Sequence, residues 1–145
     1  EGYVSIKSYR DLEVWQKAHA LVLDVYRVTE TFPDRERFGI VGQLRRAATS
    51  IPANIAEGFG RRTTKELLQS LTISNGSLEE TRYFLILSSD LKYMSTGDYD
   101  RLNRQCDSVA QMLSALARSL KNRSGISHGT PGTGHGPRIT GHGSR

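Results

Sequence analysis

The chain has 145 residues, enough for one domain with a core of its own. Hydrophobic residues make up 37% and charged residues 24%, as in a globular chain, and every apolar run is too short to span a bilayer. The formal net charge is +5, and residues 35–65 alone hold seven cations against Glu36 and Glu57, a concentration that points to a polyanionic partner.

Residues 1–8 read as an N-terminal arm, without the apolar core and cleavage site of a signal peptide. One cysteine, Cys106, excludes an intramolecular disulfide, and together these features lead us to expect a cytoplasmic protein. Ser8-Tyr9-Arg10-Asp11 has the shape of a capping box and predicts a helix over residues 9–32. Leu12, Trp15, His19, Val22 and Tyr26 recur at helical steps and form its expected apolar face.

A second helix is predicted over residues 35–60. Val41, Leu44, Ala48, Ile51 and Ile55 keep a heptad seam through Pro52, so a bend inside one helix is expected there. Ala47, Ala48, Ser50, Ala53, Ala56 and Gly58 are small enough for another helix to approach closely. Asn54 and Glu57 flank the seam as candidates for hydrogen bonds between helices or subunits, with Arg61 as an i,i+4 alternative for Glu57. Gly58 and Gly60 suit a helix C-cap. Gly58-Phe59-Gly60-Arg61-Arg62 does not match a phosphate loop, because neither the glycine spacing nor a preceding strand is present.

The third helix is expected over residues 64–93, capped by Thr63 or Thr64, with Leu67, Leu71, Leu78, Phe84, Leu87 and Leu91 inward. The fourth, over residues 96–122, has the cleanest seam: Tyr99, Leu102, Cys106, Val109, Leu113, Leu116 and Leu120. Four long helices with short connections predict an all-α, antiparallel up-down-up-down bundle over residues 9–122. Residues 123–145 differ in kind: rich in glycine, with His-Gly repeating at His128, His135 and His142, they read as a disordered tail.

Catalytic or metal chemistry finds little purchase. His19 lacks ligand-type neighbours at useful spacing, Cys106 sits on a core seam, and the chain has no Glu-x-x-His pair of the kind that builds bundle metal sites. No cofactor is expected, and the chain reads as a non-enzyme. The candidate site is the basic set Arg45, Arg46, Arg61, Arg62 and Lys65, supported by Arg35 and Arg37, since arginine forks suit phosphate oxygens.

The stretches YRDLEVWQKA (9–18), QLRRAA (43–48), SIPANIAEG (50–58) and GSLEE (76–80) resemble a bacterial four-helix bundle family. Its members were first noticed as products of intervening sequences in 23S ribosomal RNA genes. The likeness spans about residues 8–121. It implies a ring-shaped homopentamer, related in fold to the accessory variability determinants that partner reverse transcriptases in diversity-generating retroelements. It implies no catalytic residue. The leading expectation is an oligomeric module binding RNA or DNA phosphates, and the second is an adaptor for a reverse transcriptase.

Overall fold

The computed structural model describes residues 7–124, excluding the Ser124 side chain, and the His-Gly repeats and most of the expected N-terminal arm lie outside the described residues. The Ser8 capping box forms: Ser8 Oγ accepts the Arg10 N–H at 3.0 Å, and Asp11 Oδ2 accepts the Ser8 N–H at 3.2 Å. It closes only a 3₁₀ turn, Tyr9–Asp11. Leu12 is extended, and helix α1 runs from Glu13 to Thr29, shorter at both ends than the periodicity predicts. Its buried stripe is also rotated from the predicted face. Val14, Ala18, Leu21, Val25 and Val28 point inward with Val22, whereas His19 and Tyr26 are exposed. The aliphatic residues fill the core, and the aromatic residues lie along its edge, where Trp15 stacks on His19 with ring centroids 5.0 Å apart.

The predicted second helix divides in two. A 3₁₀ turn at Asp34–Glu36 leads into a π-type turn, Arg37–Val41, and α2 proper runs Gly42–Phe59. The backbone leaves helical values at Gly39 (φ −104°, ψ −113°), upstream of Pro52. There the Glu36 carboxylate folds over the turn: Oε1 accepts the Ile40 N–H at 3.3 Å, and Oε2 accepts the Tyr93 hydroxyl at 2.7 Å. A Cβ on Gly39 would lie 2.7 Å from Glu36 Oε1, so a bare backbone is what lets the carboxylate in.

Helix α2 passes Pro52 without interruption, as its seam predicts, and Leu44, Ala48, Ile51 and Ile55 are fully buried. Helix α3, Thr64–Asp90, is capped by Thr63, whose Oγ1 accepts the Glu66 N–H at 3.1 Å. It continues through Asn75-Gly76. Leu71, Leu78 and Leu85 form its apolar line, while Leu91 is 45% exposed. Between them run Ser70, Ser74, Thr81 and Ser88, also buried. This small polar stripe, absent from the predicted face, lets α3 lie close against the small residues of α2.

Hydrogen bonds stitch that contact. Ser74 Oγ donates to the Ile51 carbonyl at 2.8 Å, and Ser77 Oγ meets Ser50 Oγ at 2.8 Å. The Asn54 amide donates to Ser50 O and Oγ within α2, so it reaches α3 only through Ser50. Gly58 is buried inside α2, and a Cβ there would lie 2.7 Å from Ser70 Cβ. Its role is close packing; the C-cap is Gly60, whose N–H reaches Glu57 O at 3.0 Å.

Helix α3 ends in a Schellman turn: the Tyr93 N–H donates to Ser88 O and the Lys92 N–H to Ser89 O, both at 2.9 Å, with Lys92 at φ 66°. Helix α4, Thr96–Ser124, starts where Ser95 Oγ accepts the Asp98 N–H at 3.0 Å. Its seam is buried at Leu102, Cys106, Val109, Leu113 and Leu120. Neighbouring helices pack in the order α1–α2–α3–α4, and α4 closes back on α1. The result is an up-down-up-down four-helix bundle, with no strand among the described residues. No described helix is long and apolar enough to cross a membrane.

Candidate nucleic-acid interface

Helix α2 carries the predicted arginines, but the structure does not gather them into one patch. Arg45 and Arg46 lie in its first turn, and Arg61 and Arg62 follow its last. Sixteen positions separate each pair, about 24 Å along the axis at ~1.5 Å per residue. Arg35 and Arg37 belong with the first end, and Lys65, in the first turn of α3, belongs with the second.

Arg45 turns inward. Its Nε donates to Thr29 Oγ1 at 2.9 Å and Nη2 to the Tyr26 carbonyl at 3.3 Å, while its guanidinium lies 4.3 Å from the Tyr26 ring centroid. It clamps α2 to the end of α1 with two of its five N–H donors, and Glu30 lies 3.9 Å from Nη2. Arg46 is exposed and rests both terminal nitrogens on Gln43 Oε1, at 3.1 and 3.2 Å. Arg61 pairs with Glu57 at 2.7 Å, the i,i+4 alternative of the sequence. Arg62 and Lys65 are exposed and make no hydrogen bond or ion pair among the described residues.

At the other end, Arg37 lies 6.0 Å from the ring centroid of Phe38, which is 92% exposed. Arg35 adds positive charge beside Glu36. The Tyr93 hydrogen bond, then the Ile40 N–H and Arg35, hold the Glu36 carboxyl below its ordinary value. The same Glu36 contact pushes the Tyr93 phenol up.

Along the outward side of α2, Arg46, Thr49, Ala53, Glu57 and Arg61 fall on one stripe. Its middle is small, so a flat or gently curved backbone can approach it. Together with Arg62 and Lys65 the ridge has four cations against Glu57 and Glu66.

A second basic feature escaped the sequence reading. Lys17, Ala20, Leu23, Asp24 and Arg27 of α1 face Arg101, Arg104 and Gln105 of α4 across a groove of about 590 Å³. Arg101 holds Asp24 through two bonds, Nε to Oδ2 at 2.8 Å and Nη2 to Oδ1 at 3.0 Å, and Gln105 adds a third at 2.6 Å. Arg27 also pairs with Asp24. Burial pushes the Asp24 carboxyl up, but the bonds from Arg101, Gln105 and Arg27 outweigh it and hold it below its ordinary value. Asp24 and Arg101 stand 77 positions apart, in stretches with little net charge, so no local signal announces the groove. Cys106 is buried beside this helix pair, and burial pushes its thiol up to about 12, far from a reactive thiolate.

The profile of the 23S rRNA-intervening sequence protein family matches residues 10–115. The chain belongs to that family. The fold is also similar to a crystal structure, at 1.70 Å, of a protein of unknown function from the S23 ribosomal protein family of Bacteroides thetaiotaomicron VPI-5482. The two share 22% identity at a TM-score of 0.68, over 72% of this chain and 95% of that one. Comparison with curated proteins gives no match. The family assignment agrees with the resemblance carried by SIPANIAEG and the other quoted stretches.

Proposed function

We propose that this family member is a non-enzymatic, oligomeric nucleic-acid-binding protein whose α2 ridge grips the phosphate backbone of RNA or DNA. The observation that carries this is the exposed pair Arg62 and Lys65 at the α2–α3 turn, free of carboxylate partners among the described residues. They continue the stripe of Arg46 and Arg61 along α2. The family's name, which points to a 23S ribosomal RNA context, supports RNA as a ligand. Arg45 leaves the original contact set, because its guanidinium is turned inward onto Thr29 and the Tyr26 carbonyl and ring.

Such contacts position a backbone and do not read bases. Four phosphate contacts on a single strand imply a salt slope of roughly −3, from ~0.7 per contact. Assembly of the chain into a homopentamer would repeat the ridge five times and raise avidity. Fluorescence anisotropy with single-stranded RNA and DNA of equal length tests the proposal. Binding to both at low salt, weakening steeply as salt rises, is expected. No binding at low salt, or a flat salt dependence, overturns it.

A further inference from the structure

The turn that carries α1 into α2 presents one side chain that takes no part in the core. Phe38 is 92% exposed, the most exposed large apolar side chain among the described residues. The apolar residues near it in the turn, Phe32, Ile40 and Val41, are all buried. The ring therefore stands alone, and Asp34, Arg35 and Arg37 share the surface with it. The Arg37 guanidinium lies over the ring, 6.0 Å from its centroid. The turn itself is braced. Glu36, between the two arginines, is half-buried, and its carboxylate accepts the Ile40 N–H at 3.3 Å and the Tyr93 hydroxyl at 2.7 Å. The ring is thus carried on a seat tied to the turn after α3, so a ligand placed on it orders little chain.

Charge and position connect this ring to the α2 ridge. Residues 34–46 hold Arg35, Arg37, Arg45 and Arg46 against Asp34 and Glu36, and the Glu36 carboxylate is turned to Tyr93. Arg46, the first cation of the ridge, follows Phe38 by eight positions, about 12 Å at ~1.5 Å per residue. A strand with a phosphate on Arg46 therefore has a neighbouring nucleotide within reach of the ring.

We infer that Phe38 is a base-stacking platform: an unpaired base of a single-stranded nucleic acid lies on its ring, while Arg35, Arg37 and Arg46 hold the flanking phosphates. Every base has a flat π-face, so the contact tolerates any sequence. It needs an unpaired base, and a duplex keeps its bases stacked on one another. Single strands therefore bind through ridge and ring, and duplexes through the ridge alone. A protein partner is a poorer fit. Interface cores are contiguous and apolar, and Phe32, Ile40 and Val41 are withdrawn from this surface. The inference rests on the proposed function and adds a base contact to its phosphate contacts.

Fluorescence anisotropy on three ligands tests it: a short single-stranded RNA, the same strand with abasic positions, and a duplex of equal length. The unaltered chain is compared with Phe38→Ala and Phe38→Trp, with circular dichroism and light scattering on each. The ring lies outside the core, so both variants are expected to fold. Phe38→Ala should bind the single strand about tenfold more weakly, and Phe38→Trp at least as tightly as the unaltered chain. The slope of log K against log salt should be the same for all three, because no phosphate contact is lost. The abasic strand and the duplex should not distinguish the three chains. An unaltered chain that binds no strand at low salt removes the phosphate reading and this inference together. Salt-sensitive binding that Phe38→Ala leaves unchanged, or weakens equally on the abasic strand, overturns the inference alone and leaves the ring to a protein partner. A fall in oligomeric mass in Phe38→Ala also overturns it and assigns the ring to a contact between chains.

Discussion

Gly58→Ala isolates the packing on which the bundle depends. In an exposed helix interior this change stabilises by about 1 kcal/mol, because alanine is the better helix former. At Gly58 the new methyl would lie 2.7 Å from Ser70 Cβ and 2.9 Å from Leu67 Cδ1. Ordinary carbon contacts need roughly 3.5–4.0 Å, so α2 and α3 must part by about 1 Å. Ser70 Cβ is anchored to the backbone and cannot swing aside. Overpacking of this kind costs about 1–3 kcal/mol. Parting the helices also stretches the Ser74–Ile51 and Ser77–Ser50 hydrogen bonds, each worth about 1 kcal/mol. The net expectation is a loss of about 1–3 kcal/mol, or several degrees in Tm. Gly76→Ala supplies the control: nothing lies within 4 Å of its added Cβ, and it should stabilise by about 0.5–1 kcal/mol. Urea and thermal unfolding at equal protein concentration would compare the two. Equal stabilisation by both substitutions would refute the close-packing argument.

Lys92→Gly should stabilise the chain by about 1 kcal/mol, since Lys92 holds φ 66° in the Schellman turn; unchanged or lower Tm contradicts this. Arg45→Ala should cost about 1–2 kcal/mol through loss of the Thr29, Tyr26 and ring contacts, whereas Arg62→Ala should leave urea midpoints unchanged. Asp24→Asn should destabilise at neutral pH. The Asp24 carboxyl lies below its ordinary value in the fold, so its contribution is full above that value and disappears as pH falls through the folded one. The stability gap between the two chains should therefore shrink below about pH 4, a window that acid-unfolding curves measure.

The bundle was legible wherever one kind of residue did one job. The α2 seam through Pro52 is buried as its period demands, and so is the α4 seam from Leu102 to Leu113 and at Leu120, while Tyr99 and Leu116 stay half-buried. The reading slipped where side chains have two characters. Trp15, His19 and Tyr26 mimic a core face on α1, yet their polar edges suit the rim, and the core belongs to Val14, Ala18, Leu21 and Val25. The buried serines of α3 look polar by type. They pack as small residues and return their hydroxyls to backbone carbonyls, as Ser88 does to Phe84 at 2.7 Å. At the bend near Gly39 the Glu36 carboxylate also accepts the Tyr93 hydroxyl, 57 positions away, a contact no local pattern can announce.

The candidate interface was legible in part. Arg62 and Lys65 are exposed as a phosphate contact requires. Arg45 reads the same in sequence but is drawn inward by Thr29 on a neighbouring helix. The α1–α4 groove needed the tertiary fold, because its cations come from two distant helices.

The most direct test of the central claim is the salt dependence of RNA binding for the unaltered chain and for the triple variant Arg46→Ala, Arg62→Ala, Lys65→Ala. Three lost phosphate contacts should flatten the slope of log K against log salt by about 2, at ~0.7 per contact on a single strand, and weaken binding at low salt. The oligomeric mass and Tm should not change. An unaltered slope and affinity in the triple variant would contradict the account.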